Sequence, residues 1–63
     1  DSIRKLDVLD LLNNLSEINR FILIQFYINQ ESIKNISKKL GITEKSVQMR
    51  KGDSLEKLRK LIF

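Results

Sequence analysis

The stretch ISKKLGITEKSV, residues 36–47, has the pattern of two helices joined by a tight turn. Ile36 and Leu40 are spaced to share one face of the first helix. Gly41 follows directly, and glycine adopts the left-handed conformation that ends many helices at little cost. Thr43 can then cap a second helix after a connection of only three residues. The stretch therefore predicts a helix-turn-helix corner.

Two helices that cross closely also need a small residue at the crossing point and apolar residues that hold the crossing, and this stretch has both. Ser37 is small, as a residue under the crossing has to be, and Ile42 and Val47 supply apolar anchors after the turn and within the second helix. Corners of this kind also occur in helical bundles that never bind DNA. Spacing alone therefore leaves both a DNA-binding corner and a purely structural corner open.

Serine residues mark the starts of the other helices. Ser2 can cap a first helix that ends at the Asn-Asn pair, and Ser16 can cap a second helix over residues 18–28. Ser32 can cap the third helix, which leads into the corner. With the helix that follows Thr43, these segments predict an all-α, four-helix domain whose last two helices form the helix-turn-helix.

The second predicted helix, residues 18–28, is apolar on nearly every side of a helical wheel. A helix of this kind packs against several neighbours. We therefore expect it to lie between the first helix and the last two, with part of its surface left for a partner outside this chain.

The composition excludes several classes of function. With no Cys and no His in the sequence, the chain lacks disulfides, thiolate or imidazole metal ligands, and the Cys or Ser/His systems of nucleophilic catalysis. We expect no enzyme activity, no cofactor and no metal. The longest apolar run, residues 21–28, is far shorter than the roughly 20 residues of a membrane span. A cytoplasmic protein without membrane contact is the natural interpretation.

Positive charge is concentrated in the second half of the chain. Residues 1–31 hold three basic and five acidic residues, a net charge of −2, whereas residues 32–63 hold nine basic and three acidic residues, a net charge of +6. A one-sided basic balance is expected of a polyanion binder, although a lysine-rich solvated surface also produces it. The charge thus favours the DNA-binding interpretation of the corner.

The exposed side of the second corner helix carries groups that can bond DNA bases. The first turn and a half of such a helix reaches base edges in the major groove. Gln can bond adenine, Lys can reach guanine, Glu can accept from cytosine, and Met can touch the thymine methyl group. The candidate base contacts are Glu44, Lys45, Gln48 and Met49. The candidate phosphate contacts, which position the domain, are Lys34, Lys38, Lys39, Thr43, Arg50 and Lys51.

The length suits one small domain with a single core. A domain of this size buries only about 60% of the surface that its unfolded chain exposes, so its stability is marginal. Because the chain begins with Asp1 rather than Met, we interpret residues 1–63 as a single helix-turn-helix DNA-binding domain from a longer protein.

Motifs on both sides of the corner resemble a known family. They are LSE at residues 15–17, Arg20, LGIT at residues 40–43 and LEKLR at residues 55–59. Together they resemble, without a gap over residues 15–62, the C-terminal promoter-reading region 4 of bacterial RNA polymerase sigma factors. The LuxR-type response-regulator output domain shares the corner but usually has a shorter final helix. The terminal LEKLR is therefore the discriminating motif.

The resemblance implies a transcription initiation factor that reads the minus-35 promoter element with its fourth helix. The implied partners are double-stranded promoter DNA and the RNA polymerase core, through the flap of the β subunit, with an anti-sigma factor or other regulator as a further partner. The implied location is the bacterial nucleoid. The docking residues on this interpretation are Ile18, Phe21 and Phe26, which could instead pack against the first helix.

Three consecutive residues depart from the family pattern. Lys51 stands where an apolar residue is common, and Gly52 and Asp53 stand where basic or helix-favouring residues are common. We also expect Gly52 to mark a bend in the last helix. The acidic Glu44 and Asp53 on the supposed DNA side motivate an alternative, a module that binds polymerase or a regulator without strong DNA readout. A LuxR-type output domain, which would bind paired half-sites as a dimer, is a further alternative.

Overall fold

Four helices account for most of the chain that the structure covers. A computed structural model describes residues 8–62, with side-chain packing for residues 10–61. The helices are α1 over Val8–Asn13, α2 over Glu17–Leu23, α3 over Ile33–Leu40 and α4 over Glu44–Ile62, and one π-helical turn over Ile24–Ile28 extends α2. No strand is present in this range, and the predicted all-α domain of four helices is confirmed. The predicted cap at Ser2 lies outside the described residues.

The predicted caps begin three of the helices. The side-chain oxygens of Ser16, Ser32 and Thr43 each accept a hydrogen bond from the backbone N–H three residues further on, at 3.3, 3.1 and 3.1 Å. Each bond satisfies one of the N–H groups that the first turn of a helix leaves without a partner. Losing such a cap costs typically about 1 kcal/mol. The caps therefore set where α2, α3 and α4 begin.

The second helix ends in a wider turn than we expected. The Asn29 N–H donates to the carbonyl oxygen of Ile24, five residues earlier, at 3.1 Å. Gln30 then adopts a left-handed conformation with φ of 56°. Residues 18–28 contain no Gly or Pro that would have indicated a change of helix type. Most π-helical segments are, as here, single turns within an α-helix. The predicted helix has the expected extent, but its last turn is wound differently.

Three fully buried side chains form the core of the corner. Ile22 from α2, Ile36 from α3 and Val47 from α4 pack together, and each is 0% exposed. The half-buried residues around them are Phe26, Ile33, Leu40 and Ile42. Because each helix of the corner contributes one side chain, this cluster holds α3 and α4 in one crossing on α2. We call it the corner core.

A second apolar cluster joins α1 to α2 and α4. Leu12 and Leu15 from the first segment pack with Leu23, and the half-buried Ile24 and Leu58 close the cluster. The second helix thus contributes to both clusters through adjacent positions. This confirms the central position predicted for the apolar second helix.

The bend expected at Gly52 does not break α4, which is helical from Glu44 to Ile62. Packing on both sides of the glycine, through Val47 and Leu58, holds the two parts of the helix against the rest of the domain. Gly52 is exposed, and a Cβ added there would meet no atom within 4 Å. Glycine in a helix interior costs about 1 kcal/mol relative to alanine.

Gly41→Ala is expected to lower the free energy of unfolding by about 1–2 kcal/mol. Gly41 has φ of 69°, where a Cβ lies too close to the following carbonyl oxygen. No other atom lies within 4 Å of the added carbon, so backbone conformation alone causes the loss. Urea unfolding followed by circular dichroism measures the change. Gly52→Ala is the matched control, and it is expected to stabilise the chain; equal losses at both positions would contradict this explanation.

Candidate nucleic-acid interface

The turn between α3 and α4 holds the corner in one geometry. Gly41 takes the left-handed conformation, and its N–H donates to the carbonyl oxygen of Ser37. The Ile42 N–H donates to the same oxygen at 3.1 Å, and the Ile42 side chain packs against the corner core. The predicted helix-turn-helix is therefore formed, with α4 as its second helix.

Two buried serines allow close packing without leaving polar groups unpaired. Ser37 in α3 is 7% exposed, and its hydroxyl donates to the carbonyl oxygen of Lys34 at 2.7 Å. Ser54 in α4 is 1% exposed, and its hydroxyl donates to the carbonyl oxygen of Arg50 at 2.6 Å. A buried hydroxyl without a partner costs about 1–3 kcal/mol. Among the described residues no buried side-chain polar atom lacks a partner.

The predicted base contacts lie together on the outer side of α4. Glu44 and Gln48 are one helical turn apart, as are Lys45 and Met49, and all four are exposed. Met49 is 60% exposed, so its apolar side chain is open to contact. Within residues 10–61, no hydrogen bond or ion pair engages the side chains of Glu44, Lys45 or Gln48. The structure thus brings together four accessible side chains of the kinds that bond base edges.

Four of the predicted phosphate contacts lie on either side of the turn. Three are on α3, and Thr43 is at the start of α4. Lys34 and Lys38 are exposed and one helical turn apart. Lys39 forms an ion pair with Glu31, so its charge is partly neutralised within the protein. The Thr43 oxygen accepts the capping bond, and its hydroxyl proton stays available to donate. The helix dipole adds partial positive charge at this end of α4.

The other two predicted phosphate contacts are engaged with α2 and the π turn. Arg50 donates from Nη1 to Oδ1 of Asn19 at 3.2 Å. The Lys51 ammonium lies 4.0 Å from the ring centre of Phe26, a cation–π contact. Sequence analysis missed both contacts. Arg50 and Asn19 are 31 residues apart in the chain, and only the packing of α4 on α2 brings them together.

The predicted polymerase-docking residues do not share one surface. Ile18 is 41% exposed, and it lines a shallow depression together with Glu17, Phe21 and Leu40. Phe26 instead packs against the corner core, beneath a lysine ammonium. None of the three predicted residues belongs to the cluster formed with α1. Ile18 and Phe21 are therefore the two that the structure places side by side.

An apolar groove that sequence analysis did not identify lies between α1, the end of the second helix and α4. Tyr27 and Ile28 line it and are 50% and 65% exposed. The groove has a volume of about 220 Å³, and its other lining residues are Leu12, Leu23, Ile24, Leu55 and Leu58. The one-turn spacing of Leu23 and Tyr27 was a possible signal for this surface.

Other classes of site receive no support from the residues that the structure describes. Among them no group of acidic side chains is arranged to hold a metal ion. In the same part of the chain, no helix combines the length and apolar character needed to cross a bilayer.

Comparison with protein-family models relates the chain to a known family. A protein-family model described as "Sigma-70, region 4" matches residues 5–58. The matched range includes α2, α3 and most of α4, together with all the predicted DNA-contact and docking residues. No curated protein and no solved structure matches the chain at the significance that these comparisons require.

Proposed function

The chain belongs to the sigma-70 region 4 family, whose members are DNA-binding domains of sigma factors, and we propose that it recognises the minus-35 promoter element with α4 in the major groove. The observation that carries this proposal is the group of accessible side chains at the start of α4. They are Glu44, Lys45, Gln48 and Met49. The proposed partners are double-stranded promoter DNA and the RNA polymerase core.

A cap and a buried anchor hold the start of α4 in place, so that its outer side chains can enter a DNA groove. The Thr43 cap orders its first turn, and Val47 anchors the next turn in the corner core. The outer positions therefore project from rigid backbone, as precise recognition requires. Gln48 can form two hydrogen bonds to adenine, and Lys45 can reach the acceptors of guanine. Each good pair discriminates against the wrong base by about 1–3 kcal/mol.

Positive charge near the corner supports association with the DNA backbone. Lys34 and Lys38 are exposed on α3, and the positive end of the α4 dipole lies next to Thr43. Arg50 uses one guanidinium nitrogen for Asn19 and has further N–H groups that can reach a phosphate. Contacts of this kind position the domain on DNA without reading its sequence.

Binding of the chain to duplex DNA is expected to weaken steeply as salt rises. If about four phosphates are neutralised, the slope of log K against log salt concentration is about −3.6. Fluorescence anisotropy of a labelled duplex over a salt series measures this slope. Lys38→Gln is expected to make the slope less negative by about 0.9, because one counterion fewer is released.

The control for this measurement is Lys57→Gln, which removes an exposed lysine from the later part of α4. We expect its slope to match that of the unaltered chain. A salt-independent affinity would overturn the proposed DNA binding. Equal changes from Lys38→Gln and Lys57→Gln would overturn only the placement of α3 against the phosphates. Weak affinity by itself is expected, since non-specific dissociation constants of small modules are about 10⁻⁴ to 10⁻⁶ M.

Docking on the β flap of RNA polymerase is the second part of the proposed function. Ile18 and Phe21 on α2 and Leu40 on α3 line one depression with partly exposed apolar walls. An apolar side chain of a partner helix could be buried there without removing the base-contact side chains of α4 from DNA. The proposal assigns docking to Ile18 and Phe21, whereas Phe26 packs against the corner core.

Ile18→Asp is expected to weaken binding to the isolated β flap by about tenfold or more, because a buried unpaired carboxylate opposes docking. DNA binding of this variant should be unchanged. Tyr27→Asp, in the apolar groove, is the matched variant and should bind the flap normally. If Tyr27→Asp weakens flap binding and Ile18→Asp does not, the apolar groove is the docking surface. Surface plasmon resonance with the immobilised flap measures both.

A further inference from the structure

Gly52 is a glycine that the fold of this domain does not need. It lies in the interior of α4, is exposed, and has no positive φ. A Cβ at this position would meet no atom within 4 Å. Any other common residue except proline would favour the helix more than glycine does. The absence of a side chain at position 52 therefore calls for a reason outside the chain.

The position of Gly52 on α4 links it to the base-contact side chains. It follows Gln48 by four residues and Met49 by three, so the three positions lie on one side of the helix. The surface there is a shallow depression, lined by Gly52, Leu55, Glu56 and Arg59. On the outer side of α4, the projecting side chains of Gln48 and Met49 are thus followed within about one turn by a depression at Gly52.

The depression at Gly52 lies about two helical turns beyond the start of α4. Gly52 is eight residues beyond Glu44, which corresponds to about 12 Å along the helix axis. In the proposed docking, the first turns of α4 reach the base edges, and the helix passes the sugar–phosphate backbone as it leaves the groove. Position 52 then faces the DNA on the same side of the helix as Gln48 and Met49.

We propose that Gly52 sets how deeply α4 enters the major groove. Without a side chain at position 52, the sugar–phosphate backbone can lie against the helix backbone, and Gln48 and Met49 can reach the base edges. A larger residue would hold the helix away from the groove floor and weaken those contacts. This inference rests on the proposed DNA-binding function.

Substitutions at position 52 are expected to change the stability of the domain and its affinity for DNA in opposite directions, so the two effects can be distinguished. Gly52→Ala and Gly52→Leu are both expected to raise the melting temperature, by about 4–8 °C for alanine. Affinity should nevertheless fall, by a few-fold for alanine and about tenfold or more for leucine, since depth depends on side-chain size. The probe is a fluorescein-labelled duplex that the unaltered chain has enriched from a randomised pool, measured by anisotropy. Circular dichroism verifies that each variant is folded.

Lys57→Leu is the matched control, because it places the same side chain on another side of the same helix. Its affinity is expected to stay within about threefold of the unaltered chain, because Lys57 is expected to contact no phosphate. If Gly52→Leu binds the enriched duplex as tightly as Lys57→Leu does, the depth proposal is overturned while DNA binding stands. If the unaltered chain enriches no sequence and binds no duplex, the proposed function fails and the depth proposal fails with it.

Discussion

Ile36→Ala is expected to lower the free energy of unfolding by about 2–5 kcal/mol. Ile36 is 0% exposed and packs with Ile22 and Val47 in the corner core. Truncating it removes apolar contacts and leaves a cavity that the neighbouring helices can close only in part. Because the crossing of α3 and α4 depends on the same contacts, the DNA-binding surface should be lost together with the fold.

This loss is large for a chain of this length. At about 0.05–0.15 kcal/mol per residue, the total stability of such a domain is roughly 3–9 kcal/mol. The melting temperature is expected to fall by about 4–8 °C for each kcal/mol lost. Thermal unfolding followed by circular dichroism should therefore show a decrease of about 10 °C or more, or no cooperative transition at all.

Ile28→Ala is the matched control for Ile36→Ala. It removes the same atoms from a side chain that is 65% exposed and belongs to neither core cluster. Its effect on the free energy of unfolding should stay within about 0.5 kcal/mol. Similar melting temperatures for the two variants would mean that the corner core does not carry the stability of the domain.

Replacing both Lys45 and Gln48 with alanine is expected to abolish most of the sequence preference of DNA binding. Both side chains are exposed at the start of α4, and neither forms a hydrogen bond or ion pair among the described residues. Each is proposed to bond one base pair, at about 1–3 kcal/mol of discrimination. Together they account for about 2–6 kcal/mol, so the affinities for preferred and scrambled duplexes should approach each other. Competition anisotropy with the two duplexes measures the difference.

Lys34→Ala is the comparison variant, because Lys34 is proposed to contact a phosphate rather than a base. It should weaken binding to preferred and scrambled duplexes by the same factor, leaving their ratio unchanged. The folding of the double variant is checked by its melting temperature, which should be unaltered because neither side chain is buried. An undiminished preference in the double variant would exclude base readout by these residues.

The helix boundaries were predictable because their causes are local. Ser16, Ser32 and Thr43 each cap a helix through a bond to a backbone group three residues away. Gly41 takes the left-handed conformation that the pattern of residues 36–47 predicted. The π turn was not predictable in this way, because nothing in its composition distinguishes it from the α-helix that precedes it.

Helical spacing could not predict which basic side chains contact other residues of the protein. Spacing places Arg50 and Lys51 on α4. It does not indicate that α2 lies close enough for Asn19 to accept a hydrogen bond from Arg50. Likewise, Phe26 is one apolar residue among many in its segment until packing sets Lys51 over its ring. Among the lysines and the arginine predicted to contact phosphates, the structure therefore distinguishes Lys34 and Lys38, which are exposed without such partners in the described part of the chain, from those that have protein contacts.

By itself, the sequence determined the number of helices in the described range, the capped starts of α2, α3 and α4, the turn at Gly41 and the accessible side chains at the start of α4. These features follow from contacts within about one helical turn, where chain geometry leaves few alternatives. Only the tertiary structure decided which apolar and basic side chains remain available to partners. It packed the half-buried Phe26 against the corner core, left Ile18 and Tyr27 exposed, and gave Gly52 open space. Such outcomes depend on contacts between helices that are distant in the chain.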